Sequence, residues 1–111
     1  MNFKQLKEIN LYYNDISDIN VLEKVKFEKL EKLNLNENKI SNINILENVN
    51  FKELKELNLF YTNISNIRVL EKVKFVKIEK LNLGWNKINK ENITSIINNL
   101  QKRIKYINID I

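Results

Sequence analysis

The amino-acid sequence predicts an α/β solenoid, and three observations carry that prediction. Nearly the same string occurs four times, as LKEINLYYNDIS from Leu6, LEKLNLNENKIS from Leu30, LKELNLFYTNIS from Leu54 and IEKLNLGWNKIN from Ile78, with a period of 24 residues. Within each copy the apolar residues first alternate with polar ones and then recur every third residue, which reads as a strand followed by a tight helical return. No single copy can bury its own apolar residues, whereas stacked copies bury them against one another.

The alternation places strands near residues 8–11, 32–35, 56–59, 80–83 and 106–109, the fifth belonging to a partial repeat at Ile104 that arrives 26 residues after Ile78. Stacking puts Ile9, Leu33, Leu57, Leu81 and Ile107 in one buried column and Leu11, Leu35, Leu59, Leu83 and Ile109 in the next. The steps of three, Ile16, Ile19, Leu22 and Val25 and their counterparts, predict short helical or 3-10 returns, with Ser17, Ser41 and Ser65 as N-caps. Phe3, Phe27, Phe51 and Phe75 form a packing spine at the far edge of each return. After Lys87 the register changes. Ile93, Ile96, Ile97 and Leu100 follow an i, i+3, i+4, i+7 pattern that predicts an amphipathic helix over 91–102. Met1 and Phe3 already fall in the register of Val25 and Phe27, so the chain begins inside a repeat, which favours a cut or eroded first copy. Met1 to Lys7 should then be the least protected segment in hydrogen exchange.

The strings LKEINLYYNDI, LEKLNLNENKI, LKELNLFYTNI and IEKLNLGWNKI fit LxxLxLxxNxI, so the chain resembles the leucine-rich repeat family over nearly its whole length. The returns resemble those of the internalin-like and phosphatase-regulatory members, whose turns are short. The resemblance implies a curved, right-handed superhelix with a parallel sheet on its concave face and short helical or 3-10 turns on the convex side. It also implies that the chain's work is to bind another protein.

Two asparagine columns follow from the register. Asn14, Asn38 and Asn86 stand where the chain turns inward, and buried amides there can satisfy backbone groups of the turn. Thr62 breaks that column, which predicts a local irregularity, with Asn63 next door as the candidate to compensate. Asn10, Asn34, Asn58, Asn82 and Asn108 face the concave solvent side, either as a ladder of stacked amides or as a polar strip for a bound chain. Charges alternate between repeats, Glu8, Lys32, Glu56, Lys80 in one column and Lys7, Glu31, Lys55, Glu79, Lys105 in its neighbour, so cross-strand ion pairs are expected.

With 111 residues the chain suits one domain, 1–111. The net charge of +5 is carried by Lys far more than Arg, and the surplus (Lys24, Lys26, Lys29, Lys72, Lys74, Lys77) falls on the returns. Both points speak against nucleic-acid or membrane binding. The absence of His and Cys, with a single Gly, removes the usual catalytic, metal-ligating and phosphate-cradling groups, so no enzyme activity, metal or cofactor is expected. No leader is legible in MNFKQLKEI, which places the chain in the cytoplasm, and the sequons at Asn63 and Asn92 read as chance matches in an Asn-rich chain. Asp110 and Lys105 discourage pairing along the last strand, leaving a monomer or a weak edge-strand dimer.

The candidate binding residues are the aromatic pairs just past the strands, Tyr12–Tyr13, Phe60–Tyr61 and Gly84–Trp85, interrupted by Asn36–Glu37. Clustered exposed rings are common interface anchors. Tyr12, Tyr13, Asn58, Phe60, Tyr61, Asn82 and Trp85 are therefore the predicted contact set for a protein partner. The alternatives are a structural segment of a longer scaffold and, behind it, a basic surface module. VLEKVKF in the first and third copies against ILENVNF in the second points to a doubling of two repeats.

Overall fold

A computed structural model describes residues 5–25, 27–91 and 93–109. Phe3 of the spine, Met1 to Lys4 of the exchange-labile segment, Lys26, Asn92 and Asp110 lie outside the described residues. Strands β1 (Glu8–Asn10), β2 (Lys32–Asn34), β3 (Glu56–Asn58), β4 (Lys80–Leu83) and β5 (Tyr106–Ile109) form one sheet in sequence order, every neighbouring pair parallel. The register is the one the repeat dictates, with Ile9, Leu33, Leu57, Leu81 and Ile107 aligned. The first three strands stop a residue short of the expected span, yet the hydrogen bonds continue past them, as in Leu11 N–H to Asn34 C=O at 2.9 Å and Tyr13 N–H to Asn36 C=O at 3.0 Å.

Between strands the chain returns through 3-10 turns at Asn20–Glu23, Asn44–Asn48 and Arg68–Glu71. Three residues per turn matches the three-residue spacing of the apolar positions, so Leu22, Leu46 and Leu70 all point into the core. Ser17, Ser41 and Ser65 do not cap these turns. The following residue does the work: Asp18, Asn42 and Asn66 accept a hydrogen bond from the backbone N–H two residues on, at 2.8, 2.9 and 2.9 Å. A side chain that bonds its own chain two positions away needs no further ordering, which favours it over the serine. Phe27, Phe51 and Phe75 are buried, and Phe51 stacks on Phe75 with centroids 6.2 Å apart.

Helix α1 (Ile93–Gln101) lies within the expected 91–102 and buries Ile93, Ile96, Ile97 and Leu100. It packs on the third 3-10 turn, and just beyond it the Arg103 guanidinium donates to Leu70 C=O at 2.9 Å and Val73 C=O at 3.2 Å. The core is one continuous cluster running from Ile19 to Ile104. The expected burial of Leu11 does not hold. Leu11 is 39% and Leu6 38% exposed, because β1 is an edge strand and no neighbouring repeat covers it among the described residues.

Ion pairs form along the charge columns and alternate between them: Glu8–Lys32 at 3.7 Å, Glu31–Lys55 at 3.6 Å and Glu56–Lys80 at 3.7 Å. Glu8, Lys32 and Lys80 are exposed and Glu31, Lys55 and Glu56 half-buried, and each pair is worth about 0.2–1 kcal/mol. Among the described residues no helix is long and apolar enough to cross a membrane.

Candidate functional site

Each of the first four strands ends in a turn whose second residue is Tyr13, Glu37, Tyr61 or Trp85. All four have positive φ, 60°, 56°, 52° and 56°. That left-handed backbone costs an L-residue roughly 1–2 kcal/mol, and Gly or Asn is its usual occupant. The following repeat holds the first three of these turns in place. Tyr13 N–H, Glu37 N–H and Tyr61 N–H donate to Asn36, Phe60 and Gly84 carbonyls at 3.0, 2.8 and 2.9 Å. Nothing in a Tyr, Glu or Trp announces positive φ, so sequence reasoning missed this feature. Its consequence is that large side chains are held outward on a fixed backbone, with Tyr13 74%, Trp85 67% and Tyr61 52% exposed.

The amide columns position this edge. Asn38 Oδ1 accepts from Asn14 N–H and Ile16 N–H at 2.9 Å, and its Nδ2 donates to Leu11 C=O at 2.9 Å and Leu35 C=O at 3.0 Å. Asn86 does the same for Thr62 N–H, Ile64 N–H, Leu59 C=O and Leu83 C=O. Thr62 manages less. Its hydroxyl donates to Leu59 C=O at 3.1 Å and lies 2.7 Å from Asn86 Oδ1, but it reaches nothing in the second repeat. Asn38 N–H and Ile40 N–H therefore have no protein partner among the described residues, and exposed Asn63 does not supply one.

The concave column is not the expected ladder. The Oδ1 atoms of Asn10, Asn34, Asn58 and Asn82 each accept from the N–H two residues on, at 3.3, 3.0, 3.0 and 3.0 Å. One rung forms among the described residues, Asn108 Nδ2 to Asn82 Oδ1 at 3.1 Å. Local closure wins because it spends the same oxygen within a single turn. Asn58 and Asn82 thereby fix the backbone of Phe60 and Gly84.

Phe60, Tyr61 and Trp85 come together, with centroids 6.4 Å (Phe60–Tyr61), 6.1 Å (Phe60–Trp85) and 5.7 Å (Tyr61–Trp85). The space beside Gly84 is filled. A Cβ there would stand 3.1 Å from the Phe60 ring and 3.0 Å from Asn108 Nδ2, so glycine is what lets Phe60 lie down. Tyr12 and Tyr13 are exposed and make no ring contact with this group among the described residues. Between the two aromatic sets lies a hollow of about 400 Å3 lined by Tyr13, Asp15, Glu37, Lys39, Tyr61 and Thr62, with Asn38 and Asn63 beside them. Among the described residues no group of three or more His, Cys, Asp or Glu could hold a metal ion.

Two family models match the sequence, one described as leucine-rich repeats in two copies over residues 4–48 and one as a leucine-rich repeat over residues 76–95. No curated protein matches. Among solved structures, the chain is similar to an internalin, inlF, from Listeria monocytogenes str. 4b F2365, with 25% identity, a TM-score of 0.75 and coverage of 97% of this chain and 31% of that one. It is also similar to internalin C2 of the same organism, with 20% identity, a TM-score of 0.68 and coverage of 96% and 43%. The chain thus spans about a third of the first and under half of the second.

Proposed function

Since the chain belongs to the leucine-rich repeat family, whose domains generally bind proteins, we propose that it is a non-catalytic interaction module that docks a protein partner on its concave face. The contact set is Tyr12, Tyr13, Asn58, Phe60, Tyr61, Asn82 and Trp85, acting within one domain over 1–111 in the cytoplasm. The observation that carries the reading is the Phe60–Tyr61–Trp85 group: three rings on adjacent repeats, two of them more than half exposed, with the Tyr61 backbone held by the next repeat. Rigid aromatic anchors bury much area with few rotors to freeze.

The test is a Tyr61→Ala, Trp85→Ala double variant. Partner capture, with the captured protein identified by cross-linking through the concave face, should fall more than about tenfold, as loss of two anchor residues predicts. Circular dichroism and melting temperature should stay close to the parent. Unchanged capture refutes the site, and loss of fold assigns the rings to the core.

A second reading, a structural segment of a longer scaffold or a weak edge-strand dimer, is favoured by one observation: Leu6 and Leu11 are exposed along β1 while their counterparts Leu54 and Leu59 are buried. Concentration-dependent sedimentation separates it from the first. Binding that collapses with added salt would instead favour a basic surface module.

A further inference from the structure

We propose that the hollow between Tyr13 and Tyr61 receives a Lys or Arg side chain of the docked partner, with Glu37 as its counter-ion. The proposal rests on the protein-docking reading above and names the chemistry of one contact within it. Tyr13, Glu37 and Tyr61 occupy the same position in three consecutive repeats. Parallel strand spacing puts the outer two roughly 10 Å apart with the glutamate between. What reads in the sequence as an interruption of the aromatic run is the middle of a cleft walled by rings.

Charge decides the occupant. Asp15 and Lys39, both on the lining, pair with each other at 3.5 Å. Glu37 is exposed and, among the described residues, has no Lys or Arg within ion-pair distance. The hollow therefore carries one unbalanced negative charge on a protein whose net charge is +5. An anion entering it meets Glu37 and Asp15, and an uncharged apolar group leaves Glu37 unanswered. A cation satisfies the carboxylate and gains attraction from tyrosine faces, which bind guanidinium and ammonium groups within about 6 Å. At about 400 Å3, on the order of ten water volumes, the hollow admits a long stem as well as the charged head. The site is preorganised, because the positive-φ backbones of Tyr13, Asp15, Glu37 and Tyr61 set the wall positions before anything binds.

The probes are the tripeptide acetyl-Gly-Arg-Gly-amide, its Lys form, and the isosteric citrulline form that lacks the charge. Each is titrated into the 15N-labelled 111-residue chain and followed by amide chemical shifts. The Arg and Lys probes should move the amides of Tyr13, Glu37 and Tyr61 in a saturable way, and the citrulline probe should leave them in place. E37Q should weaken the Arg probe about threefold, the scale of an exposed ion pair. Y13L should weaken it by a similar factor with an unchanged melting temperature.

Equal response to Arg and citrulline, or shifts scattered over Glu8, Glu31 and Glu56 as strongly as at Glu37, overturns the proposal; this arm uses the unaltered protein and survives any folding defect in a variant. The two readings fail separately. Loss of partner capture in the Tyr61, Trp85 double variant with no Arg-specific shift removes the hollow and keeps the docking face. Arg-specific shifts at the hollow with capture intact in the double variant keep the hollow and remove the docking face.

Discussion

Asn38→Ala and Thr62→Asn alter equivalent positions in adjacent repeats and should move stability in opposite directions. Asn38 is 4% exposed and its amide answers backbone groups of two repeats. Truncation orphans Leu35 C=O, inside the core, and Ile16 N–H, half-buried, while water can reach exposed Asn14. A buried group left unpaired costs about 1–3 kcal/mol, so two cost roughly 2–6 kcal/mol. For a domain of this size that lowers Tm by on the order of 10–30 °C. Asn38→Thr should fall between, because Thr62 shows that a hydroxyl keeps the bond to its own strand leucine, at 3.1 Å, and loses the bonds to the preceding repeat. Thr62→Asn supplies what is missing. Its Oδ1 can accept from Asn38 N–H and Ile40 N–H and its Nδ2 can donate to Leu35 C=O, a gain of about 1–2 kcal/mol. Thermal and urea melts of the four proteins, followed by circular dichroism, test the series. Asn38→Ala within about 1 kcal/mol of the parent, or Thr62→Asn less stable than the parent, would refute the argument that this column is held by amide bonds to buried backbone.

Three other outcomes are expected. Tyr13→Asn should raise stability by about 0.5–1 kcal/mol, since Asn tolerates φ near 60° and this exposed ring has no ring partner among the described residues; a loss of that size in the melt would show that the ring supports the fold. Arg103→Ala should cost about 1–3 kcal/mol by freeing Leu70 and Val73 carbonyls at the end of a 3-10 turn, and amide exchange should rise first in α1 and that turn. Lys77 donates to Glu53 at 2.7 Å, and this bond holds the Glu53 carboxyl below its ordinary 4.5 and Lys77 above its ordinary 10.5. Glu53 thus adds stability that is present above 4.5 and lost as pH falls through its lowered value, and Lys77 adds stability present below 10.5 and lost as pH rises through its raised one. The coupling in a Glu53→Gln, Lys77→Met cycle should be flat between those limits and vanish outside them.

Register was legible because burial forces it: Leu33 and Leu57 alternate with polar residues, and a slip by one would turn the whole column outward. The three-residue steps gave the returns for the same reason. Where several groups compete for one hydrogen bond, sequence was a weaker guide. Ser17 and Asp18 are both plausible caps, and geometry chose the aspartate. Asn34 could reach a neighbouring amide or its own chain, and the shorter path prevailed. Burial of Leu11 depends on a neighbour on the far side of β1, which the repeat pattern implies only for interior copies. The irregularity at Thr62 was foreseeable from its missing amide; that Asn63 would not relieve it was not, because only the fold shows it facing solvent. The rings of Phe60, Tyr61 and Trp85 could be placed together from register alone, whereas the hollow beside Glu37 depends on backbone angles that no residue type there signals.

The missing bond at Thr62 has a consequence for how such a chain can change length. Asn38 completes the turn of the first repeat and Asn86 completes that of the third, and among the described residues no side-chain amide crosses from the third repeat to the second, where only backbone bonds do. The ion pairs Glu8–Lys32, Asp15–Lys39 and Glu56–Lys80 fall inside the same couples, while Glu31–Lys55 and Glu53–Lys77 span the seam. By its amide column the molecule is two matched couplets, meeting at a joint held by backbone bonds and two ion pairs. Gaining or losing a couplet would leave every turn served at least as well as before. Growth by couplets is a route this bonding pattern leaves open, and each added copy of the first couplet, set before a tyrosine-bearing repeat, would bring its own tyrosine-walled cleft with it.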